Sequence, residues 1–436
     1  KADFMEKEGV SRVIYPNEAR IRNITYSGVV YMEFSVFENE TFKSKYQVGI
    51  GKLPIMVRSK YCNTYGLSEE ELIKIGEDPT DHGGYFIING REKVVVLSEE
   101  LSTNKFYVQE EKSPVKYSGY LLSESLTIQS AHRMELMKDG LLYISFERYK
   151  RVPLIPVIKA LGLYKDQEIA QLINEDDNFE ETFINLIEYQ DIQDQDTAIR
   201  YLADKLRLTG SPEVKREKLL GILDTKLLPH IGTDRNDRLL KAYNLAKMAR
   251  KILLLAHGKI KEDQKDHFSN KLVRTPGELL REMFLVTLRT VMNDAIYQYE
   301  RLVRRGKVPT YSSIFRSKIF TERFETAMGT GKWTRNRKGV SQQLDRTNKI
   351  SVLSHLTRVV SSISEEAELT EARMVHGTHW GRLDLIETPE GHETGLRKNL
   401  TLLSKISFET VNLYELVSEL ERIGLKSIIK NVNANK

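Results

Sequence analysis

The run Thr275-Pro276-Gly277-Glu278 fixes the start of one helix more firmly than any other feature of the chain. Threonine supplies an N-cap oxygen, and proline takes the first helical position, where no N–H is needed. Glutamate three residues after the cap completes a capping box. Leu279, Leu280, Met283, Phe284, Val291 and Leu302 then recur at helical spacing, and Gly306 closes the pattern. Such a helix runs about 45 Å.

Ahead of it, residues 12–97 read as β-rich. In GGYFIINGREKVVVL (83–97) two β-favouring runs flank Asn89-Gly90, a pair that accepts positive φ, which predicts a hairpin with a type I′ turn. Residues 26–37 (YSGVVYMEFSVF) and 53–58 are further strand candidates. Alternating segments continue to about Arg151, including GLLYISFERY from Gly140, and from Val152 the chain turns helical. A helix is predicted over 237–257, where Leu239, Leu240, Tyr243, Ala246, Ile252 and Leu253 give an apolar stripe that Gly258 stops. Asn412 with Glu415 opens a short helix that ends before Gly424. With 436 residues, roughly two to four domains are expected. No repeat or low-complexity linker separates them, which predicts tight packing.

Charge is unevenly placed behind a net value of +5. Residues 166–199 hold eleven carboxylates and no lysine or arginine. Residues 301–338 are basic, with only Glu322 and Glu325 opposing Arg304, Arg305, Arg316, Arg323, Arg335, Arg337, Lys338 and their neighbours. Tyr311, Phe315 and Trp333 interleave with these cations, so the segment suits nucleic acid, with a solvated basic face as the equal alternative. The single cysteine, Cys62, excludes an intrachain disulfide and a cysteine-based zinc cluster, which suits a reducing, cytoplasmic setting. No apolar run approaches the ~20 residues needed to cross a bilayer. The opening KADFMEKEG lacks the apolar core of a signal peptide and reads as mid-protein.

Three motifs invite chemistry and are set aside. His376 and His379, with His392 near, have zinc-like spacing, but Gly377 lies between the first two and no helix is predicted to align them; histidines bonded to backbone are commoner. Asp191, Asp194 and Asp196 suit a solvated acidic face better than magnesium. GTGKW (329–333) fails as a phosphate loop, because Thr326 and Trp333 stand where glycine and a hydroxyl are required. In 376–400 (HGTHWGRLDLIETPEGHETGLRKNL), a Thr-Pro turn, Gly391 and Gly395, and the flanking Arg373, Arg382, Arg397 and Lys398 suit close approach of backbone and cations to phosphates. An ordinary buried turn is the alternative.

Four segments in order resemble the second-largest, β-type subunit of multisubunit DNA-dependent RNA polymerase. They are GGYFIINGREKVVVL (83–97), DHFSNKLVRTPGELL (266–280), GVSQQLDRTNKISVLSHLTR (339–358) and ARMVHGTHWGRLDLIETPEGHETGLRKNLTLLS (372–404). With IGKLPIMVRSKYC (50–62) the resemblance covers nearly the whole chain, in an archaeal and eukaryotic style. The chain is similar to the N-terminal part of the archaeal subunit that is split into two polypeptides (B double-prime), a shortened full-length subunit being the alternative.

The resemblance implies an α+β, multidomain fold. Residues 1–107 and 271–313 would form the protrusion, 108–270 a helical lobe inserted within it, 314–407 the fork, and 408–436 the start of the external region. It implies a subunit without catalytic activity in isolation, walling the DNA cleft and positioning template DNA and the RNA–DNA hybrid beside the active centre. Two fork loops, 333–338 (WTRNRK) and 363–370 (ISEEAELT), would approach nucleic acid, although Glu365, Glu366 and Glu368 make phosphate contact by the second doubtful. Residues implied near nucleic acid or the active centre are Trp333, Arg335, Arg337, Lys338, Gln342, Arg373, Glu390, Arg397 and Lys398. The family's catalytic aspartates and Mg2+ belong to the largest subunit, so this chain is expected to bind no cofactor of its own. Expected partners are the C-terminal half of the split subunit, the largest subunit, template DNA and nascent RNA, and no membrane. An independent nucleic-acid-binding regulator with a polymerase-like fold is the alternative function.

Overall fold

The computed structural model describes residues 2–5, 11–38, 41–111, 115–125, 128–175, 177–306, 314–364, 366, 369–406 and 413–424. Its axis is the helix Pro276–Arg304, whose capping box forms as the sequence predicts: Glu278 N–H donates to Thr275 Oγ1 at 3.4 Å and Thr275 N–H to Glu278 Oε2 at 3.0 Å. Leu279, Met283, Thr287, Val291 and Ala295 are its buried stripe.

The predicted hairpin is present, with Phe86–Ile88 paired to Arg91–Val95 and both Asn89 and Gly90 at positive φ, 48° and 76°. Ser341–Gln343 adds a third strand beside Arg91–Val95. This small sheet is buried on both faces, which explains the unbroken apolar runs. Phe86, Ile88 and Val95 pack with Met283 and Phe320, while Tyr85, Ile87, Val94 and Val96 pack with Tyr26 and Val352.

The chain bends at Val96 and continues as Leu97–Leu101 into a four-stranded sheet. There it lies between Lys271–Arg274, antiparallel, and Arg358–Ser361, parallel; Arg397–Asn399 forms the far edge. The resemblance-bearing segments around 83–97, 266–280, 339–358 and 372–404 therefore converge on two sheets joined by one bent strand.

Between Leu101 and Lys271 the chain builds a separate body on a five-stranded antiparallel meander, Phe106–Glu110, Val115–Glu124, Gln129–Met137, Leu142–Phe146 and Tyr149–Pro153. Helices from Leu154–Ala160 to Arg238–Ala256 cover it, and their core draws only on residues 108–255. Entry and exit lie side by side, since Leu101 pairs with Lys271 and Ser102 N–H donates to Asn270 O at 2.9 Å. The exit segment also caps the meander's free edge: Asp263 Oδ2 accepts from Val108 N–H at 2.8 Å, and Glu262 Oε1 from Glu110 N–H at 3.0 Å.

The helix predicted over 237–257 is Arg238–Ala256, and Leu413–Arg422 forms near the end, with Asn412 outside the described residues. The strand predicted over 26–37 is Ser27–Glu38. The strand expected at 53–58 is a correction. Its first two residues end the longer strand Thr41–Pro54, which pairs along Ser27–Glu38. Beyond Pro54 the chain turns under Tyr85, whose carbonyl accepts from Val57 N–H at 2.8 Å.

His132 pins the inserted body from within. Fully buried, it accepts Leu228 N–H on Nε2 at 3.0 Å and donates from Nδ1 to Ser130 O at 3.0 Å, which holds it neutral. Burial pushes its pKa from 6.5 down to about 4. The unfolded chain therefore takes up a proton between those values that the folded body refuses, so stability is complete above 6.5 and falls as pH drops toward 4. Residues 104–265 expressed alone should unfold cooperatively and lose stability across that window, and His132→Gln should flatten the slope in thermal melts. A fragment without a cooperative transition, or with an unchanged slope in the variant, contradicts this.

Candidate functional site

Between the inserted body and the four-stranded sheet lies a cleft of about 1580 Å3. Gln109, Tyr120 and residues 262–266 line one side; Arg335, Arg337, Lys338, Gln342 and Arg397 line the other, with residues 360–364 and 374–376 at its rim. Five of the nine residues singled out from the sequence thus share one cavity.

Their charges are not equally free. Arg335, at φ 58°, reaches Glu124 of the inserted body at 2.6 Å and Glu282 of the long helix at 3.0 Å. Arg337 grips Glu100 through two hydrogen bonds, at 2.5 and 3.2 Å, and Glu282 at 2.8 Å. Arg274 joins Glu100 and Glu124. On the opposite face of the same strand, Lys398 holds Glu99 at 2.8 Å and Lys271 approaches it at 3.5 Å.

All four carboxylates are largely removed from water. Burial alone would raise the Glu99 carboxyl, but Lys398 and Lys271 outweigh it and hold it below the usual carboxylate range. Glu124 is likewise lowered, with Arg335 and Arg274 overcoming burial. The Arg337 guanidinium is raised: burial opposes the shift, and Glu100 and Glu282 override it. Trp333 packs into the core with Met328 and Val340 instead of offering a stacking face. Arg335, Arg337 and Lys398 therefore act as internal ties, whereas Lys338 is exposed and forms no ion pair with a described residue.

Gln342 is oriented from behind. Asp345 N–H donates to His355 Nδ1 at 3.1 Å, which leaves the proton on Nε2 to donate to Gln342 Oε1 at 3.1 Å. Gln342 Nε2 then donates to Gly339 O at 3.0 Å. Burial, then Arg358, pushes His355 down to about 4, so this neutral tautomer is the one present.

Arg373 clamps the loop that carries the Thr-Pro turn, donating from Nη1 to His392 O at 2.5 Å and Thr394 O at 3.1 Å. Gly395, at φ 72°, lies so close to the Arg373 backbone that a β-carbon would sit 2.2 Å from its carbonyl oxygen. That close approach is made within the chain, while Gly391 faces open space. Glu390 is exposed at the loop's tip, and Arg397 pairs with Glu393.

The histidines join two segments. Phe268 N–H donates to Thr378 Oγ1 at 2.9 Å, and that hydroxyl donates to His376 Nδ1 at 2.8 Å; His379 packs against Phe268. Burial, then Lys398, lowers the His379 pKa. Asp191, Asp194 and Asp196 are exposed, and Asp196 pairs with Arg216 at 2.7 Å. Among the described residues no three His, Cys, Asp or Glu side chains are grouped to hold a metal ion. Gly331 ends the helix Ser317–Thr330, so GTGKW closes a helix where a phosphate loop would open one. Glu366 is exposed, whereas Glu365, Glu368 and Tyr311 lie outside the described residues. Among the described residues no helix is long and apolar enough to cross a membrane.

Comparison with known proteins gives this arrangement a context. A family model for the RNA polymerase beta subunit matches residues 1–322, and one for RNA polymerase Rpb2, domain 3, matches residues 342–406. DNA-directed RNA polymerase subunit Rpo2N of Halobacterium salinarum is 36% identical over 97% of this chain and 83% of its own length. Rpo2N of Methanocaldococcus jannaschii is 36% identical over 94% of this chain and 84% of its own. DNA-directed RNA polymerase subunit Rpo2 of Sulfolobus acidocaldarius is 37% identical over 98% of this chain but only 38% of its own, much longer, sequence.

The ion-pair network makes a sharp contrast between neighbours. Arg337→Ala should destabilise the chain by about 3 kcal/mol, because Glu100 and Glu282 stay buried without their shared partner. Lys338→Ala, one residue away and exposed, should shift stability by no more than about 0.5 kcal/mol. Denaturant unfolding of both variants checks this, and equal effects would contradict it.

Proposed function

The chain belongs to the family of β-type subunits of DNA-directed RNA polymerase, matching their N-terminal portion, and on that premise we propose that it works as a noncatalytic wall of the polymerase's DNA cleft. Template DNA and the RNA–DNA hybrid are held against it, while the largest subunit supplies the Mg2+ and the carboxylates for nucleotidyl transfer. Residues 1–107 and 271–313 then serve as protrusion, 108–270 as lobe, 314–407 as fork and 408–436 as the start of the external region. The setting is cytoplasmic.

The observation that carries this reading is the shared cleft. Segments hundreds of residues apart in sequence meet on two joined sheets to line it, and its wall carries a free cation, Lys338, beside an oriented amide, Gln342. A cation neutralises phosphate and an amide directs hydrogen bonds, and neither brings bond-breaking chemistry. Arg373 and Arg397 set the shape of the neighbouring loop, and Glu390 stands exposed at its tip. Trp333, Arg335, Arg337 and Lys398 hold the wall from behind.

Exposed apolar side chains support a subunit over an independent regulator. Trp380, Ile386, Leu402 and Leu403 are 77%, 89%, 101% and 93% exposed. Thr401 N–H donates to Arg382 O at 3.1 Å, which brings the ends of that group together. A group of bare large side chains of this kind suits burial by neighbouring polypeptides such as the other half of the subunit.

The reading is tested in polymerase reconstituted with the remaining subunits. Lys338→Ala should assemble normally yet retain template less well, with the salt dependence of retention reduced by about one phosphate contact. An unchanged salt slope in the assembled variant would remove Lys338 from the nucleic-acid path. Failure of the wild-type chain to assemble would remove the subunit reading itself.

A further inference from the structure

A second cavity, of about 760 Å3, opens on the inserted body, away from the cleft. It lies among the turn before Tyr149–Pro153, the loop 206–209 and the helix Pro212–Lys226. Tyr149–Pro153 is one edge of the meander and Phe106–Glu110, which borders the cleft, is the other. Four strand spacings, ~19 Å, separate those edges. The pocket is therefore a separate opening from the cleft.

The pocket is lined by basic side chains. Arg148, Arg207, Lys218 and Lys226 line it and no carboxylate does, although residues 166–199 of the same body carry eleven. Lys226 is paired with Glu147 at 2.7 Å, and Lys218 donates to Thr209 O at 3.0 Å. Arg148 and Arg207 are exposed and make no ion pair with a described residue; Arg148 lies 5.1 Å from the Tyr149 ring centre. Below this rim the floor is apolar: Tyr149, Leu206, Leu208 and Ile222 are half-buried and rest on the body's core. Gly221 lies in the middle of the helix and lines the pocket, and a β-carbon there would meet nothing within 4 Å, so there is room for a larger residue at this position.

The backbone around the pocket is unusual as well. Glu147, Arg151, Arg207 and Leu228 all have φ between 45° and 53°, a region that non-glycine residues seldom adopt. The turn that presents Arg148 and the loop that presents Arg207 are held in that form by the body beneath them.

We propose that this pocket binds an acidic peptide segment of a partner protein, with one bulky apolar side chain seated on the floor and its carboxylates on the Arg148, Arg207 and Lys218 rim. A nucleic-acid duplex would need a continuous cationic track and, with its bases stacked inside, would leave an apolar floor unused. A purely acidic segment would leave that floor wet. The rim's positive charge attracts an acidic segment to this opening, and the acidic run 166–199 of the same body repels it.

The experiment measures binding of fluorescent peptides to the full chain. The probe is a short Asp- and Glu-rich peptide with one central Phe, compared with the same peptide carrying Ser and with a short DNA duplex. The Phe peptide should bind more tightly than the Ser peptide. The combined change Arg148→Glu, Arg207→Glu and Lys218→Glu should weaken it roughly tenfold or more. Gly221→Leu, which fills the floor without touching the charge, should weaken the Phe peptide and leave the Ser peptide unchanged; this variant carries the test if the charge-reversed chain does not fold. No binding of the Phe peptide, equal binding of both peptides, or indifference to both variants overturns the proposal. So does displacement of the peptide by duplex that itself loses affinity in the charge-reversed chain, which would make this a nucleic-acid site.

Discussion

The structure depends on one buried set of opposite charges. Glu99 and Glu100 are consecutive residues of the strand Leu97–Leu101, so their side chains leave opposite faces, and both faces are covered. On one side Lys398 and Lys271 meet Glu99; on the other Arg337 and Arg274 meet Glu100. Glu282 and Glu124 extend the second group into the long helix and the inserted body. Each charge would be costly to bury alone, and each is tolerable only when its partners are in place. The inserted body, the long helix and the 333–338 loop are therefore held in one mutual arrangement. Apolar contact alone, being non-directional, would fix that arrangement less closely.

This constraint shapes the cleft. Two of the arginines lining it point their charge into the wall, which leaves Lys338 and the Gln342 amide to address whatever enters. The arrangement separates rigidity from contact. Tied cations set the position of the wall, and in the proposed function the exposed Lys338 is what supplies weak, sequence-indifferent attraction. A surface along which a polymer must slide is better served by such contacts than by a dense phosphate-gripping face.

Much of the local structure was legible in the sequence because its causes are local. The capping box at Thr275 and the Asn89-Gly90 turn each act within a few residues, and both are present. The network was not legible. LSEEL reads as an ordinary solvated strand, and nothing near Glu99 announces Lys398, 299 residues away. The basic count over 301–338 left a nucleic-acid surface and a solvated face as equal readings, and neither foresaw internal ties, because the carboxylates answering Arg335 and Arg337 come from as far as 211 and 237 residues upstream. Leu402 and Leu403 resemble core residues in composition, and only the fold leaves them bare. The strand expected at 53–58 failed for the same reason, since its pairing was set by the longer partner Ser27–Glu38.

The claim at the centre of this account is that the chain contributes a wall, held rigid from behind, against which nucleic acid lies. Photo-crosslinking in a reconstituted transcribing complex tests it most directly, with the probe placed in turn at residues 338, 342 and 207. The account requires adducts with template or transcript from 338 and 342 and none from 207. Adducts from 207 alone, or none from 338 and 342 in a complex that is elongating, would contradict it.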